Sequence, residues 1–300
     1  MASKRVKVIV NPAAGKEQPV LARLNTVFRD REIDWDIAIT KEPGDGRSFA
    51  AESAGEGYDI VAVYGGDGSV MEVASGLIGG ELPLAILPGG TANVMAVELD
   101  IPSQLEEACA LLLDPQARVR RVDMGAIGED RFILRAGAGF EAQMIANADR
   151  EMKDRIGVWA YGASALQALR DTEPSRYRLE LDGKPEELEG INCLVANSGS
   201  LGIPGLTLSP EVSISDGLLD VFVFRKADLQ AILSIAASAT GNLRQQESLQ
   251  HFQVKTVSVE ADPVQPVQVD GEIIGETPIT VVVIPQAVPV IVPQGPEEAG

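Results

Sequence analysis

Histidine, cysteine and aromatic residues are scarce in this sequence. It has one histidine, His251, two cysteines, Cys109 and Cys193, and only 4% aromatic residues. These counts exclude a zinc cluster built from Cys and His, and they disfavour a catalytic Cys–His or Ser–His pair. Both cysteines stand in apolar stretches, so we predict that their thiols are buried.

Long apolar runs are also missing. Residues 1–10 contain basic side chains but no apolar segment of signal-peptide length. The apolar run at 279–292 is interrupted by Pro285 and Pro289 and is too short to cross a bilayer as a helix. We therefore expect strands in this run, and a cytoplasmic protein.

Positive charge is in short supply. The 25 Lys and Arg residues stand against 44 Asp and Glu residues, which gives a formal net charge of −19. Proteins that bind nucleic acid normally present a basic surface to the phosphates, so we expect no nucleic-acid partner. The same charge opposes long-range attraction to anionic lipids, so any contact with a membrane surface should be transient or apolar.

The pattern of apolar residues divides the chain into two parts. Residues 1–124 alternate strands with helices, which predicts an α/β domain whose parallel sheet is covered by helices on both faces, in three layers. Residues 125–300 contain short strands separated by turns, which predicts a mainly antiparallel β domain with helices within 143–169 and 228–240. The pattern leaves open that the last strand returns to the first domain.

The strongest motif is Gly65-Gly66-Asp67-Gly68-Ser69, directly after the apolar strand 60–64. Glycines at the end of a strand let backbone amides approach a phosphate, and the next helix offers its positive N-terminus. The Asp67 carboxylate repels a bare phosphate. Its presence indicates that Mg²⁺ bridges the two groups, or that Asp67 orients an attacking hydroxyl group. The alternative is a tight turn with Asp67 as the N-cap of the helix.

A second motif, Pro88-Gly89-Gly90-Thr91-Ala92-Asn93, repeats this arrangement after the next strand. The ends of neighbouring parallel strands meet at one edge of the sheet, where ligands bind in open α/β folds. The alternative is two ordinary strand-to-helix loops.

Three further segments are weak on their own. The segment 11–16 lacks the first Gly of a Walker A loop, because Val10 holds that position. Segments 213–220 and 269–272 are typical of turns, although Asp216 with nearby carbonyl groups could hold a hard cation.

Together these motifs resemble the diacylglycerol kinase catalytic-domain family, which includes sphingosine kinases and many bacterial lipid kinases. The matching segments, in chain order, are Asn11-Pro12 with Gly15, Thr40, 65–69, 88–93, Asp123, Ser209-Pro210, 216–221 and 270–272. The resemblance implies an ATP-binding α/β domain and a C-terminal β-sandwich, with the active site in the cleft between them. It implies Mg²⁺-dependent transfer of the γ-phosphoryl group of ATP to a lipid-like alcohol of the diacylglycerol or sphingoid class.

The resemblance also implies roles for single residues. Glu272 would be the general base, a part that the family's sphingosine kinases give to the residue matching Asp67. Asp67 and Asp123 would organise the catalytic Mg²⁺, and a structural Mg²⁺ would be held by the Asp216 side chain with the carbonyl groups of Ser213 and Leu218. The residues that would line the nucleotide site are Asn11, Thr40, Gly65, Gly66, Asp67, Gly68, Ser69, Val70, Met71, Gly90 and Thr91.

The chain departs from the family at Val94, where many members carry an Asp that joins the magnesium network; Ser69, in place of the usual Thr, keeps the hydroxyl group. Two alternatives stay open: an enzyme similar to NAD kinases, and a non-catalytic protein that binds a nucleotide or lipid. The sequence does not fix the lipid acceptor or the oligomeric state, with a homodimer among the options.

Overall fold

The computed structural model describes residues 4–15, 19–29, 33–147, 172–201, 207–225 and 250–294. The chain forms two compact units, residues 1–122 with 286–300 and residues 123–285. The strands β5 and β16 each contain residues of both units. The helix expected within 228–240 lies outside the described residues.

The first unit is an α/β domain, as predicted. Its parallel sheet has the strand order β2-β1-β3-β4, and the last residues of β16 lie parallel to β4. Its elements are β1 (Lys4–Val10), α1 (Val20–Phe28), β2 (Ile33–Ile39), α2 (Asp45–Ser53), β3 (Ile60–Gly65), α3 (Asp67–Leu77), β4 (Leu84–Pro88), α4 (Val94–Glu98) and α5 (Leu105–Leu111).

Burial along the strands explains this architecture. Every residue of β3 and β4 is buried, as expected for central strands that are covered on both faces. The strand β2 ends the order, and its residues are half-buried or exposed. The apolar runs of the sequence therefore mark the centre of the sheet, where the candidate loops begin.

The second unit is mainly antiparallel, also as predicted. One sheet has the order β12-β11-β10-β7-β14-β15, and β16, β13, β8 and β9 follow one another in another sheet. The elements, including the two strands shared with the first unit, are β5 (Arg118–Ile127), β6 (Asp130–Phe132), β7 (Arg135–Gly139), α6 (Phe140–Asn147), β8 (Ser175–Leu181), β9 (Lys184–Gly190), β10 (Asn192–Ala196), β11 (Leu219–Phe224), β12 (Gln250–Val254), β13 (Thr256–Asp262), β14 (Pro266–Val269), β15 (Glu272–Glu276) and β16 (Ile279–Val292).

A single apolar cluster lies between the two sheets of the second unit. Val195 and Val221 contribute to it from one sheet, and Tyr177, Val257 and Val281 from the other. Both sheets thus bury one face against the same core, which is the packing of a β-sandwich.

A helix was expected within 143–169. The helix α6 begins before that segment, directly after β7, and reaches Asn147, while residues 148–171 lie outside the described residues. Within the described ranges, no helix has the length and apolar character needed to span a membrane.

Candidate functional site

Three loops of the first unit leave the parallel sheet at the same edge. They follow β1, β3 and β4, and the register pairs Val10 with Tyr64 and Gly65 with Pro88. Because these strands are parallel neighbours, the loops beginning at Asn11, Gly66 and Gly89 start side by side. The two glycine-rich segments therefore lie at one edge of the sheet, as we expected.

The backbones of these loops touch one another. A Cβ atom added to Gly90 would lie 2.5 Å from the Cα of Gly66, and one added to Gly15 would lie 1.9 Å from the carbonyl oxygen of Gly89. The Gly89 N–H also donates to the Gly65 carbonyl at 2.9 Å. Only glycine permits this approach, which brings two strand ends and the start of α3 together as a surface of main-chain groups.

Asn11 joins the first loop to α3. Its Nδ2 donates to Ser69 Oγ at 2.9 Å, and its Oδ1 accepts the Ala13 N–H at 3.0 Å. The Ser69 hydroxyl, retained where the family usually has Thr, therefore has a direct partner in the first loop.

Asp67 is the first residue of α3, and Gly66 is the N-cap. Its Oδ1 accepts the Met95 N–H of α4 at 3.0 Å. The alternative prediction that Asp67 is the N-cap of α3 is wrong, because Gly66 holds that position. The bond to Met95 ties the first glycine-rich segment to the helix that follows the second.

Asn93 and Val94 complete this corner. Asn93 has a left-handed backbone, and its side chain both accepts from the Gly90 N–H and donates to the Gly90 carbonyl, each at 2.9 Å. Asn93 was not among the predicted site residues, although an Asn before a helix after two glycines is a signal for such a turn. Val94 is only 7% exposed, so an apolar side chain is buried where many family members carry Asp.

The remaining predicted nucleotide residues differ in what they offer. Gly68 and Thr91 are exposed, and Thr40 and Met71 are half-buried. Val70 is 2% exposed and its N–H donates to the Gly66 carbonyl, so neither its side chain nor its N–H is available to a ligand.

The turn between β2 and α2 is held in place by two carboxylates, of Glu72 and Asp45, that sequence reasoning missed. Glu72 of α3 accepts the Gly44 N–H at Oε1 and the Gly46 N–H at Oε2, at 3.0 and 3.1 Å. Asp45 accepts the amides of Lys41 and Glu42 at Oδ2, and these bonds lower the pKa of its carboxyl group.

In the second unit, Asp270 anchors the turn that precedes Glu272. Its carboxylate accepts the backbone amides of Ile133, Leu134 and Arg135 at 2.9, 3.1 and 2.8 Å. Burial raises the pKa of Asp270 to about 6, against the amide bonds, which lower it. Glu272 begins β15 and is exposed, so the buried acid holds the turn and the acid beside it faces solvent.

Asp123 lies against the predicted structural Mg²⁺ loop of the same unit. It is 0% exposed, and its Oδ2 accepts the Gly217 N–H at 2.7 Å. Asp216 Oδ1 accepts the Leu218 N–H at 3.0 Å. Loss of solvation, followed by the charges of Asp220 and Asp123, raises the pKa of Asp216.

The acidic loop is the predicted site of a structural Mg²⁺. Asp220 beside it is buried; its Oδ2 has no hydrogen-bond partner within the part of the chain that the structure describes, and its Oδ1 lies 2.6 Å from His251 Nε2. A cation beside Asp216 would offset the repulsion that Asp220 and Asp123 exert on the Asp216 carboxylate. Among the described residues no group of three or more His, Cys, Asp and Glu side chains is gathered as a metal site. The predicted structural Mg²⁺ site is of another type, because its ligands would be the Asp216 side chain and the carbonyl groups of Ser213 and Leu218.

Two family profiles match the chain. The profile of the diacylglycerol kinase catalytic domain matches residues 5–127, and that of the YegS C-terminal NAD kinase beta sandwich-like domain matches residues 135–292. A crystal structure of a diacylglycerol kinase from Bacillus anthracis has a TM-score of 0.76 and 28% identity, and the match covers 96% of this chain and 97% of that one.

Two curated proteins illustrate the sequence similarity. The diacylglycerol kinase of Bacillus subtilis is 28% identical over 298 residues, which is 97% of each chain. An uncharacterized protein of Synechocystis is 34% identical over 247 residues, which is 81% of this chain and 57% of that protein. The chain thus spans little more than half the length of the Synechocystis protein.

Proposed function

The chain belongs to the diacylglycerol kinase family of lipid kinases, and on that premise we propose that it transfers the γ-phosphoryl group of ATP to a hydroxyl group of a lipid-like alcohol. Diacylglycerol and sphingoid bases are the acceptor classes that we favour. The acceptor reaches a cytoplasmic enzyme through transient contact with a membrane surface.

The observation that carries this proposal is the backbone contact between the glycine-rich segments at Gly66 and Gly90. It gathers two strand ends and the N-terminus of α3, an arrangement suited to a polyphosphate. Asn11 and Ser69 border the same surface through their mutual hydrogen bond. The composition supports a kinase over a nucleophilic hydrolase, because a single histidine leaves few catalytic pairs.

We assign the proton transfer to Glu272. Its carboxylate takes the proton of the acceptor hydroxyl as that oxygen bonds to the γ-phosphorus, and the bond from phosphorus to the bridging oxygen breaks to release ADP. An exposed glutamate on a turn fixed by buried Asp270 suits this role. Asp67 is the alternative base, but its carboxylate is already fixed by the Met95 amide.

Asp67 and Asp123 remain the proposed carboxylates of the magnesium network. Mg²⁺ bound at the phosphates would offset the charge that develops during transfer. Val94 supplies no carboxylate, so Asp67 would carry more of this task than in relatives with Asp at that position. The Asp216 loop is proposed to hold a second, structural cation.

A labelled-phosphate assay tests the function. The protein is incubated with γ-labelled ATP, Mg²⁺ and vesicles that contain diacylglycerol, a sphingoid base, monoacylglycerol, phosphatidylglycerol or an isoprenoid alcohol, and the product is identified by mass. NAD is tested in parallel. We expect label in a lipid; label in NAD alone would assign the NAD kinase alternative, and ATP binding without turnover would assign the non-catalytic one.

A further inference from the structure

We infer that Glu72 is a positioning residue for the nucleotide site. Its carboxylate fixes the turn that carries Thr40, and it does so from α3, the helix that begins at Asp67. The inference rests on the proposed function, since Thr40 is a proposed nucleotide contact. Neither the sequence motifs nor the family resemblance assigned a role to Glu72.

Glu72 clamps the turn with both carboxylate oxygens. Oε1 accepts the Gly44 N–H at 3.0 Å, and Oε2 accepts the Gly46 N–H at 3.1 Å. The clamp is close-fitting, because a Cβ atom added to Gly46 would lie 2.8 Å from Glu72 Oε2. Gly44 adopts a φ of +91°, a conformation that L side chains rarely adopt.

The Glu72 carboxylate occupies the N-terminal end of α2, where an anion could otherwise bind. Gly44 is the N-cap of α2, where backbone amides would otherwise attract a phosphate. The amides of Gly44 and Gly46 are bonded to Glu72, and those of Lys41 and Glu42 to Asp45. This turn therefore does not bind the polyphosphate through these amides. Its contribution to ATP binding comes from Thr40.

The clamp also connects two loops that must act together. Glu72 lies on α3, whose first residue is Asp67, while Thr40 follows β2 and donates its N–H to the Val10 carbonyl. Fixing the turn in advance avoids the cost of ordering it when a nucleotide binds. Loss of the clamp should therefore weaken ATP binding and leave the transfer step at saturating ATP unchanged.

The variant Glu72→Gln tests this inference. The amide keeps the size of the side chain but points an N–H₂ group at a backbone N–H, so one bond is lost and the other loses its charge. We expect the Kd for Mg·ATP, measured by calorimetry, to rise about tenfold. We also expect faster hydrogen exchange at the amides of Gly44 and Gly46. Glu52→Gln, an exposed glutamate on α2, is the matched control.

The possible outcomes separate the two proposals. Wild-type protein that does not bind Mg·ATP would contradict the proposed function. Wild-type binding with an unchanged Kd in Glu72→Gln would overturn the role of Glu72. If that variant does not fold, Gly44→Ala strains the same turn through its φ, although the added Cβ meets nothing within 4 Å. The same loss of ATP affinity is expected, and an unchanged Kd in a folded Gly44→Ala variant would overturn the inference.

Discussion

The two units of this protein prepare their candidate sites by different physical means. In the first, glycine backbones come into contact, and side chains such as Asn11 and Asp67 link the loops. In the second, Asp270 is held by three successive amides, and the adjacent Glu272 stays exposed. In the proposed function, the close backbones of the first unit would bind the phosphates, and the anchored turn of the second unit would position the base.

The largest effect should come from the exposed acid of the second unit. Glu272→Gln removes the proposed base, so we expect kcat to fall by about 10²- to 10⁴-fold with the Kd for Mg·ATP nearly unchanged. Steady-state assays with the identified lipid measure this. Glu276→Gln, at the exposed end of the same strand, is the control. A kcat for Glu272→Gln close to that of the control would move the role to another residue.

The next effect tests the backbone contact of the first unit. Gly90→Ala places a Cβ atom 2.5 Å from the Cα of Gly66, so the two segments must separate. Overpacking of this kind costs about 1–3 kcal/mol, and we expect Mg·ATP to bind about ten- to a hundredfold more weakly. Gly55→Ala, whose added Cβ lies 3.6 Å from the Glu52 carbonyl oxygen, should bind Mg·ATP as wild type does. Equal affinity of the two variants would show that the contact is not needed.

A third prediction separates anchoring from stability within the second unit. Asp270→Asn turns an N–H₂ group toward backbone donors, so we expect a loss of about 1–3 kcal/mol in the free energy of unfolding, together with a lower kcat. Denaturant unfolding and lipid assays measure the two effects.

Asp182 provides the control for Asp270, because it also precedes a glycine with positive φ and accepts amides, those of Lys255 and Thr256. Asp182→Asn should lower stability without lowering kcat. A parallel loss of kcat in both variants would mean that activity simply follows stability.

The sequence predicted the elements of both units well, because the signals are local. The apolar run at 60–64 followed by glycines matches β3, Ile60–Gly65, and the alternation of strands and helices was enough to place two glycine-rich ends at one edge. Asn11, which we predicted at the nucleotide site, lies at that edge. These features depend on chain periodicity and on turn chemistry, both of which a single sequence displays.

The anchoring contacts could not be predicted, because their partners are set by packing between distant segments. Glu72 bonds to an amide 28 residues away, and Asp270 to one 137 residues away. A carboxylate on a helix or turn is normally a solvated group, so its residue type alone does not reveal such a bond. The burial of Val94 likewise follows from tertiary packing.

The smallest expected effect concerns the acidic loop of the second unit, where neighbouring carboxylates add to burial in raising the pKa of Asp216. If the Asp216 loop holds a cation, Mg²⁺ at ten times its Kd should raise the free energy of unfolding by about 1.4 kcal/mol. Thermal unfolding with and without Mg²⁺ measures the gain. Asp216→Asn should abolish it, whereas Asp130→Asn, an exposed acid on β6, should keep it. An equal gain in both variants would place the stabilising cation elsewhere, and the repulsion of Asp220 and Asp123 on Asp216 would then have to be offset by the protein's own hydrogen bonds.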